Sequence, residues 1–205
     1  MELSLKELLN GSSVQLRYVK RYAIFNCINP ESVAEHSFYT VLYCLFVGEW
    51  AREHGTSLDI GKLLTRAVLH DLEEARTGDI LRMFKHRSAS LTKAINRVGE
   101  EELADALSAI VIEDTDSVAP SLVAEWKWAK DSTPEGRVMA FADFLSVLSY
   151  LMQELQFTNE SRVPRTDEFR QYLGTFYHPS FEFIRPLINQ ACSIIHELFG
   201  VQVDD

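Results

Sequence analysis

His70 and Asp71 stand together in the stretch Ala67-Val68-Leu69-His70-Asp71-Leu72-Glu73-Glu74-Ala75. Ile60, Leu63, Leu64, Ala67, Val68, Leu72 and Ala75 recur with the spacing of one helical face. Asp71 occupies a slot where that pattern asks for another apolar residue, and an unpaired carboxylate there is costly. Something must compensate for the charge, and a metal ion is one candidate. His36 and Asp143 make the same demand. No Asp, Glu, Lys or Arg lies between Glu35 and Glu49, yet His36 opens that stretch; between Val138 and Gln153 the only charged residue is Asp143. Two imidazoles and two carboxylates suit a divalent transition metal such as Co, Mn, Zn, Ni or Fe. Such an ion lowers the pKa of bound water and polarises a phosphoryl oxygen. Taken singly, a buried His is usually hydrogen-bonded core and a buried Asp an anchor between helices. Together, one metal would neutralise both acids and use both imidazoles. The four residues come from three separate helices, so no local pattern fixes their geometry.

The elements that must position them are helical. The spacing predicts helices over 2–9, a short one starting near 13, then 32–54, 59–75, 90–107, 121–130, 135–155, 166–176 and 181–199. Ser32-Val33-Ala34-Glu35 matches a capping box, with Asn29-Pro30 as a rival start. Gly55 suits the end of that helix, and Thr77-Gly78-Asp79 suits a turn. The helix over 135–155 is apolar nearly all round and is expected to be buried. The stretch 24–28 is the one extended candidate noted before the first strong helix. The expected fold is all-α and single-domain over 1–205.

Composition narrows the function. The chain has 205 residues with a formal net charge of -10, which argues against a general nucleic-acid binder but not against a single nucleotide. Cys27, Cys44 and Cys192 are far apart and form no CxxC, so a disulfide framework is not expected and a reducing compartment fits. The N-terminal segment carries acids and lacks a signal-peptide core. The longest uncharged apolar run, 37–48, is shorter than the ~20 residues that span a bilayer. A cytoplasmic protein without a membrane partner is expected.

The order His36, His70-Asp71, Asp143 resembles that of the HD-domain phosphohydrolases. Val33-Ala34-Glu35-His36-Ser37 is similar to a segment of their 5'-deoxynucleotidase subgroup, the YfbR-like proteins. So is the stretch from His70-Asp71 through Glu74 to Gly78-Asp79-Ile80. The resemblance covers about residues 13–181, with the helix at 181–199 closing the domain. It implies a helical bundle with the metal site between central helices, and His36, His70, Asp71 and Asp143 as metal ligands. It further implies that Glu74 orients or deprotonates the attacking water, and that Asp79 lies near the sugar and the reacting centre. For Glu74 the bland alternative is a solvated acid, the reading preferred for its neighbour Glu73. For Asp79 it is a helix N-cap. Arg21 matches a phosphate-binding Arg fork, with Arg17 and Lys20 as rivals, and Lys85 matches a lysine after the Gly-Asp turn. Tyr22 stands where relatives carry Trp and could stack on sugar or base. Leu81-Arg82-Met83-Phe84 departs from the relatives' Pro-rich stretch.

The expected function is hydrolysis of a deoxyribonucleoside 5'-monophosphate to deoxynucleoside and phosphate. One alternative is a dNTP triphosphohydrolase of the dATPase type, for which Arg82, Lys85, His86 and Arg87 would meet a longer phosphate tail. The other is a non-catalytic nucleotide-binding protein. A homodimer is compatible with the aromatic-rich tail (Phe176, Tyr177, Phe181, Phe183 and Phe199), which otherwise closes the core.

Overall fold

The computed structural model describes residues 2–25, 27–113, 118–157 and 172–199. The described residues form a helical domain centred on α3 (Val33–Glu53) and α9 (Pro134–Phe157), which pack side by side. Before α3 come β1 (Glu2–Leu3), α1 (Leu5–Asn10) and α2 (Ser12–Gln15). After it come α4 (Ile60–Leu69), α5 (Glu74–Thr77), α6 (Arg82–Lys85), α7 (Ala89–Ile110), β2 (Val111–Glu113) and α8 (Val118–Lys127). Two 3₁₀ segments, Thr175–Tyr177 and Pro179–Ile184, lead into α10 (Arg185–Phe199).

Local chemistry sets the start of α3. Ser32 is its N-cap, and the Ser32 hydroxyl and Glu35 carboxylate satisfy each other's backbone N–H in a full capping box. His36 therefore enters from the first turn of a well-anchored helix. Gly48 lets α4 come close: a Cβ there would lie 2.7 Å from Leu63 Cδ2. The side chains of α9 fill the core on several faces, with Val138, Met139, Phe141, Ala142 and Phe144 fully buried. By length and composition the stretch Pro134–Leu155 would suit a bilayer, but most of it is buried inside this domain, as a core helix requires. Phe176 and Phe181 join the same core, so these two members of the aromatic tail close it. The side chain of Phe199 and most of the helix expected over 166–176 lie outside the described residues.

Three expectations are corrected. The first helix starts at Leu5 rather than at residue 2, because Glu2–Leu3 pairs antiparallel with Val111–Glu113 and Ser4 caps α1 through its hydroxyl. The described residues of the extended candidate at 24–28 form no strand: Phe25 N–H donates to Tyr22 O, closing a turn. The helix expected over 59–75 breaks. After Leu69 the bonds tighten to i→i+3, from Leu72 N–H to Leu69 O, Glu74 N–H to Asp71 O and Ala75 N–H to Leu72 O. A 3₁₀-like tightening inside a helical run commonly marks a functional site. His70 and Asp71 sit at that break.

One polar network had no counterpart in the sequence reading. Arg66 is 2% exposed. Its guanidinium grips both oxygens of Asp131 at 3.0 and 3.1 Å, Glu125 at 2.8 Å and the Thr133 hydroxyl at 3.1 Å. This fork fastens α4 to the end of α8 and to the loop that follows, because a buried guanidinium must be fully paired. Burial pushes the Asp131 carboxyl up, but its bonds from Arg66 and Thr133 outweigh that and hold it below the usual range. A carboxylate with a depressed folded pKa stabilises above its unfolded value, near 4, and loses that contribution as pH falls through the folded value. Asp131→Asn is therefore expected to destabilise by about 2 kcal/mol at neutral pH. In urea unfolding, the gap to wild type should narrow on acidification below about pH 4; a gap of constant size would assign the effect to packing.

Candidate metal centre and active site

Four side chains able to ligate a metal, His36, His70, Asp71 and Asp143, meet where α3, α9 and the break after α4 converge. His36 Nε2 lies 3.0 Å from Asp143 Oδ1, 3.3 Å from His70 Nε2 and 3.4 Å from Asp71 Oδ2. His70 Nε2 lies 3.0 Å from Asp71 Oδ2. His36, His70 and Asp143 each offer one potential ligand atom within 4.8 Å of the others, and Asp71 Oδ2 reaches both imidazole edges. Their side chains are 0%, 1%, 12% and 19% exposed for His36, His70, Asp143 and Asp71, so solvent reaches the cluster from the carboxylate side. Packing of α3 on α9 and of α4 on α3 is what joins residues 107 positions apart.

The imidazoles are oriented from behind. His70 Nδ1 lies 2.8 Å from Ala67 O. A carbonyl only accepts, so the proton is on Nδ1 and the Nε2 lone pair faces the cluster, as in ligating histidines. His36 Nδ1 has two neighbours, Ser146 Oγ at 2.9 Å and an Arg21 guanidinium nitrogen at 2.7 Å. Ser146 Oγ also donates to His36 O at 3.2 Å, which leaves its lone pairs free to accept from Nδ1–H. With Arg21 donating to Nδ1, the proton instead sits on Nε2 and points at Asp143. His36 thus has two tautomers, one for each partner, and Ser146 supports the one with a free Nε2.

The electrostatics follow from burial. Burial opposes ionisation of Asp71 and Asp143, yet the adjacent imidazoles, and Lys130 beside Asp143, hold both carboxyls well below the ordinary range. Burial works against protonating His70, and Asp71 more than offsets it, raising its pKa. The donor set fits a divalent cation: two nitrogens and two carboxylates of opposite formal charge to the ion, crowded into one buried pocket.

Around the cluster, Glu74 opens α5. Its Oε2 is buried without a hydrogen-bond partner. Burial first, then Asp71, Asp79 and Glu73, push its carboxyl up to about 10. Arg21 reaches both His36 and Glu31, the latter at 2.9 Å, while its buried Nε has no partner. Of its rivals, Arg17 is exposed and Lys20 donates to Pro30 O at the surface. Tyr22 adopts a left-handed backbone with φ of 56°, uncommon for a non-glycine. It stacks on Tyr150, with ring centroids 5.5 Å apart, and its N–H donates to Asp79 Oδ2 at 3.0 Å. Asp79 is thus not a helix N-cap; it ties the Arg21–Tyr22 turn to the Gly78 turn, where φ is +73°. Lys85 lines a small recess, open in part to solvent, with Glu73, Glu74, Asn96, Gly99 and Trp126.

The profile of the "5'-deoxynucleotidase YfbR-like" family matches residues 11–190. The chain belongs to that family. It is 25% identical over 171 residues to a dATP triphosphohydrolase from Salmonella phage PMBT28, covering 78% of this chain and 76% of that one. Its fold is similar to an HD-domain phosphohydrolase from Listeria innocua, with a TM-score of 0.72 and 23% identity over 92% of this chain and 90% of the other. It is also similar to a conserved hypothetical protein from Pyrococcus furiosus, with a TM-score of 0.69 and 23% identity over 92% and 98% of the two chains. The protein is a phosphohydrolase whose all-α fold is like that of an HD-domain phosphohydrolase, and its His36, His70 and Asp143 form a possible metal site.

Sequence reasoning missed several groups in this site. Ser146 lies three residues after Asp143 on α9, a spacing that puts both on one helical face and could have flagged it. Glu73, read as a solvated acid, is 6% exposed and accepts from Trp126 Nε1 at 2.7 Å. Burial, then Asp71, push it up to about 7. Lys130 and Tyr172, both on Asp143, carried no local signal. Because Asp79 holds the turn through an accepted N–H, Asp79→Ala should lower phosphohydrolase kcat/KM about tenfold. Asp79→Asn should restore most of it, since its amide oxygen accepts the same bond. Equal losses in both variants would assign Asp79 to the reacting atoms instead.

Proposed function

We propose that this phosphohydrolase is a 5'-deoxynucleotidase, converting a deoxyribonucleoside 5'-monophosphate and water to a deoxynucleoside and phosphate. The observation that carries the reading is the convergence of His36, His70, Asp71 and Asp143 beside the unpartnered Glu74 oxygen, in a member of the 5'-deoxynucleotidase family. His36 and His70 would hold a divalent transition metal through Nε2, with Asp71 and Asp143 as the carboxylate ligands. When bound, that ion supplies Lewis acidity to the phosphoryl oxygen and lowers the pKa of the water it holds.

The protein's own groups supply the rest. Glu74 is a base only as a carboxylate; burial first, then Asp71, Asp79 and Glu73, hold its proton, and a cation that cancels the Asp71 charge would favour the carboxylate. Glu74 then orients the attacking water and takes its proton. Arg21 turns its fork from His36 to the substrate phosphate, freeing Nδ1 of His36 to donate to Ser146. Lys85 adds a second cation, and Tyr22 stands beside the Arg21 fork to flank the sugar or base. Phosphoryl transfer needs chiefly such positioning and charge neutralisation.

A second reading, a dNTP triphosphohydrolase, is favoured by one observation beyond the phage relative. Among the described residues neither Arg82 nor Lys85 forms an ion pair with a carboxylate; Arg82 stacks on Tyr172, and both charges would be available to a longer phosphate tail. A panel of dNMPs, NMPs and dNTPs with Mn²⁺, Co²⁺ and Zn²⁺, products resolved, separates the readings: phosphate from dNMPs is expected, and triphosphate from dNTPs alone would replace the first with the second. Asp71→Ala should fall to background; if wild type shows the same background throughout, catalysis is lost as a reading. Ser146→Ala should weaken Mn²⁺ binding about tenfold in calorimetry, the usual cost of losing a group that orients a ligating histidine. Unchanged affinity would remove Ser146 from that role.

A further inference from the structure

Asp143 is shared. While Oδ1 faces His36, Oδ2 accepts from Lys130 Nζ at 2.6 Å and from the Tyr172 hydroxyl at 3.2 Å. The Lys130 side chain is 40% exposed, against 12% for Asp143 and 0% for His36, so the ammonium stands where solvent reaches the cluster. The loop that carries it is built with unusual care for a surface lysine. Ala129 just before it is buried, and Asp131 just after it is gripped by the buried Arg66. Thr133 N–H also donates to Asp131. These contacts hold the backbone on both sides of Lys130 while leaving its side chain to project.

The surroundings are cationic. The Arg82 guanidinium lies 4.0 Å from the ring centroid of Tyr172, the residue that shares Asp143 with Lys130. Burial first, then Arg82, Lys85 and Lys130, hold His86 below its ordinary value. Charge arithmetic bears on Lys130. A divalent cation between Asp71 and Asp143 leaves that core formally neutral, and Arg21 is balanced by Glu31. Lys130, 2.6 Å from Asp143, is then no longer required as the counter-ion of that carboxylate.

From this geometry we infer that Lys130 is a substrate-phosphate ligand, parked on Asp143 Oδ2 and delivered to the cluster mouth by the Arg66-pinned loop. The inference rests on the phosphohydrolase reading of the cluster and adds to it a residue from outside the motif-bearing segments. The rival is a purely structural counter-ion that steadies Asp143. The two differ in what Lys130→Gln changes, and that variant should fold, since the side chain is substantially exposed.

The test is calorimetry of Mn²⁺ on metal-free protein and of inorganic phosphate on Mn²⁺-loaded protein, for wild type, Lys130→Gln and Lys130→Arg of matched Tm, with KM and kcat for dAMP alongside. Loss of one charge-assisted hydrogen bond should weaken phosphate binding about tenfold and raise KM, with Mn²⁺ affinity held within about threefold. Lys130→Arg should recover part of the phosphate affinity. Unchanged phosphate binding in Lys130→Gln overturns the inference, as does a wild type that binds no phosphate, or a tenfold loss of Mn²⁺ affinity. If wild type binds phosphate but turns over no deoxynucleotide, the deoxynucleotidase reading falls while the phosphate titration still decides Lys130.

Discussion

Two carboxylates that point into one buried pocket set the terms for the rest of this molecule. Asp71 and Asp143 approach the same imidazole edges from different elements. Neither could be held there unless something of opposite charge were held there too. The imidazoles and Lys130 meet that requirement, and the donor set would also hold a divalent ion. The α3–α9 pair brings His36 and Asp143 together, and the break after α4 turns His70 and Asp71 towards them. That break costs regular hydrogen bonding, and His70 offsets part of the cost by donating to Ala67 O.

The segments that complete the site are not long helices, and carboxylates away from the metal cluster anchor several of them. Glu154 is 3% exposed and accepts from the N–H groups of Ile28 and Asn29 on the approach to α3. Asp79 accepts from Tyr22 and so fixes the turn that bears Arg21. Asp131, through Arg66, fixes the loop that bears Lys130. Each anchor supplies what a connection lacks, a partner for backbone or guanidinium groups out of reach of a helical ladder. A rigid frame with stapled connections suits phosphoryl chemistry, where small displacements of charged groups are expensive.

The site has two unlike sides. On one, Arg21, Glu31 and Tyr22 form a compact group stacked on Tyr150. On the other, Lys130, Tyr172 and Arg82 form a cationic rim open to solvent. The first side suits a single phosphate and its sugar. The second has charge to spare, which is why mono- and triphosphate substrates both remain chemically reasonable for one metal centre. Glu73 and Trp126 form a wall behind Glu74, with Gly99 leaving room for both.

Much of this was legible in the chain. Charge-free helical faces around His36 and Asp143, and an acid in the apolar stripe at Asp71, betray a site because burying such groups unpaired is prohibitive. The capping box at Ser32 and Glu35 is readable because its partners lie three residues apart. What the tertiary structure alone decided involves partners distant in sequence. The helix breaks at His70 rather than running to residue 75, Asp79 serves Tyr22 rather than a helix end, and Glu73 is buried by Trp126. Lys130 meets Asp143 across a loop pinned by Arg66 from another helix. Periodicity and capping record contacts within a turn or two of helix. Pairings such as these depend on where whole elements pack, and no local spacing encodes them.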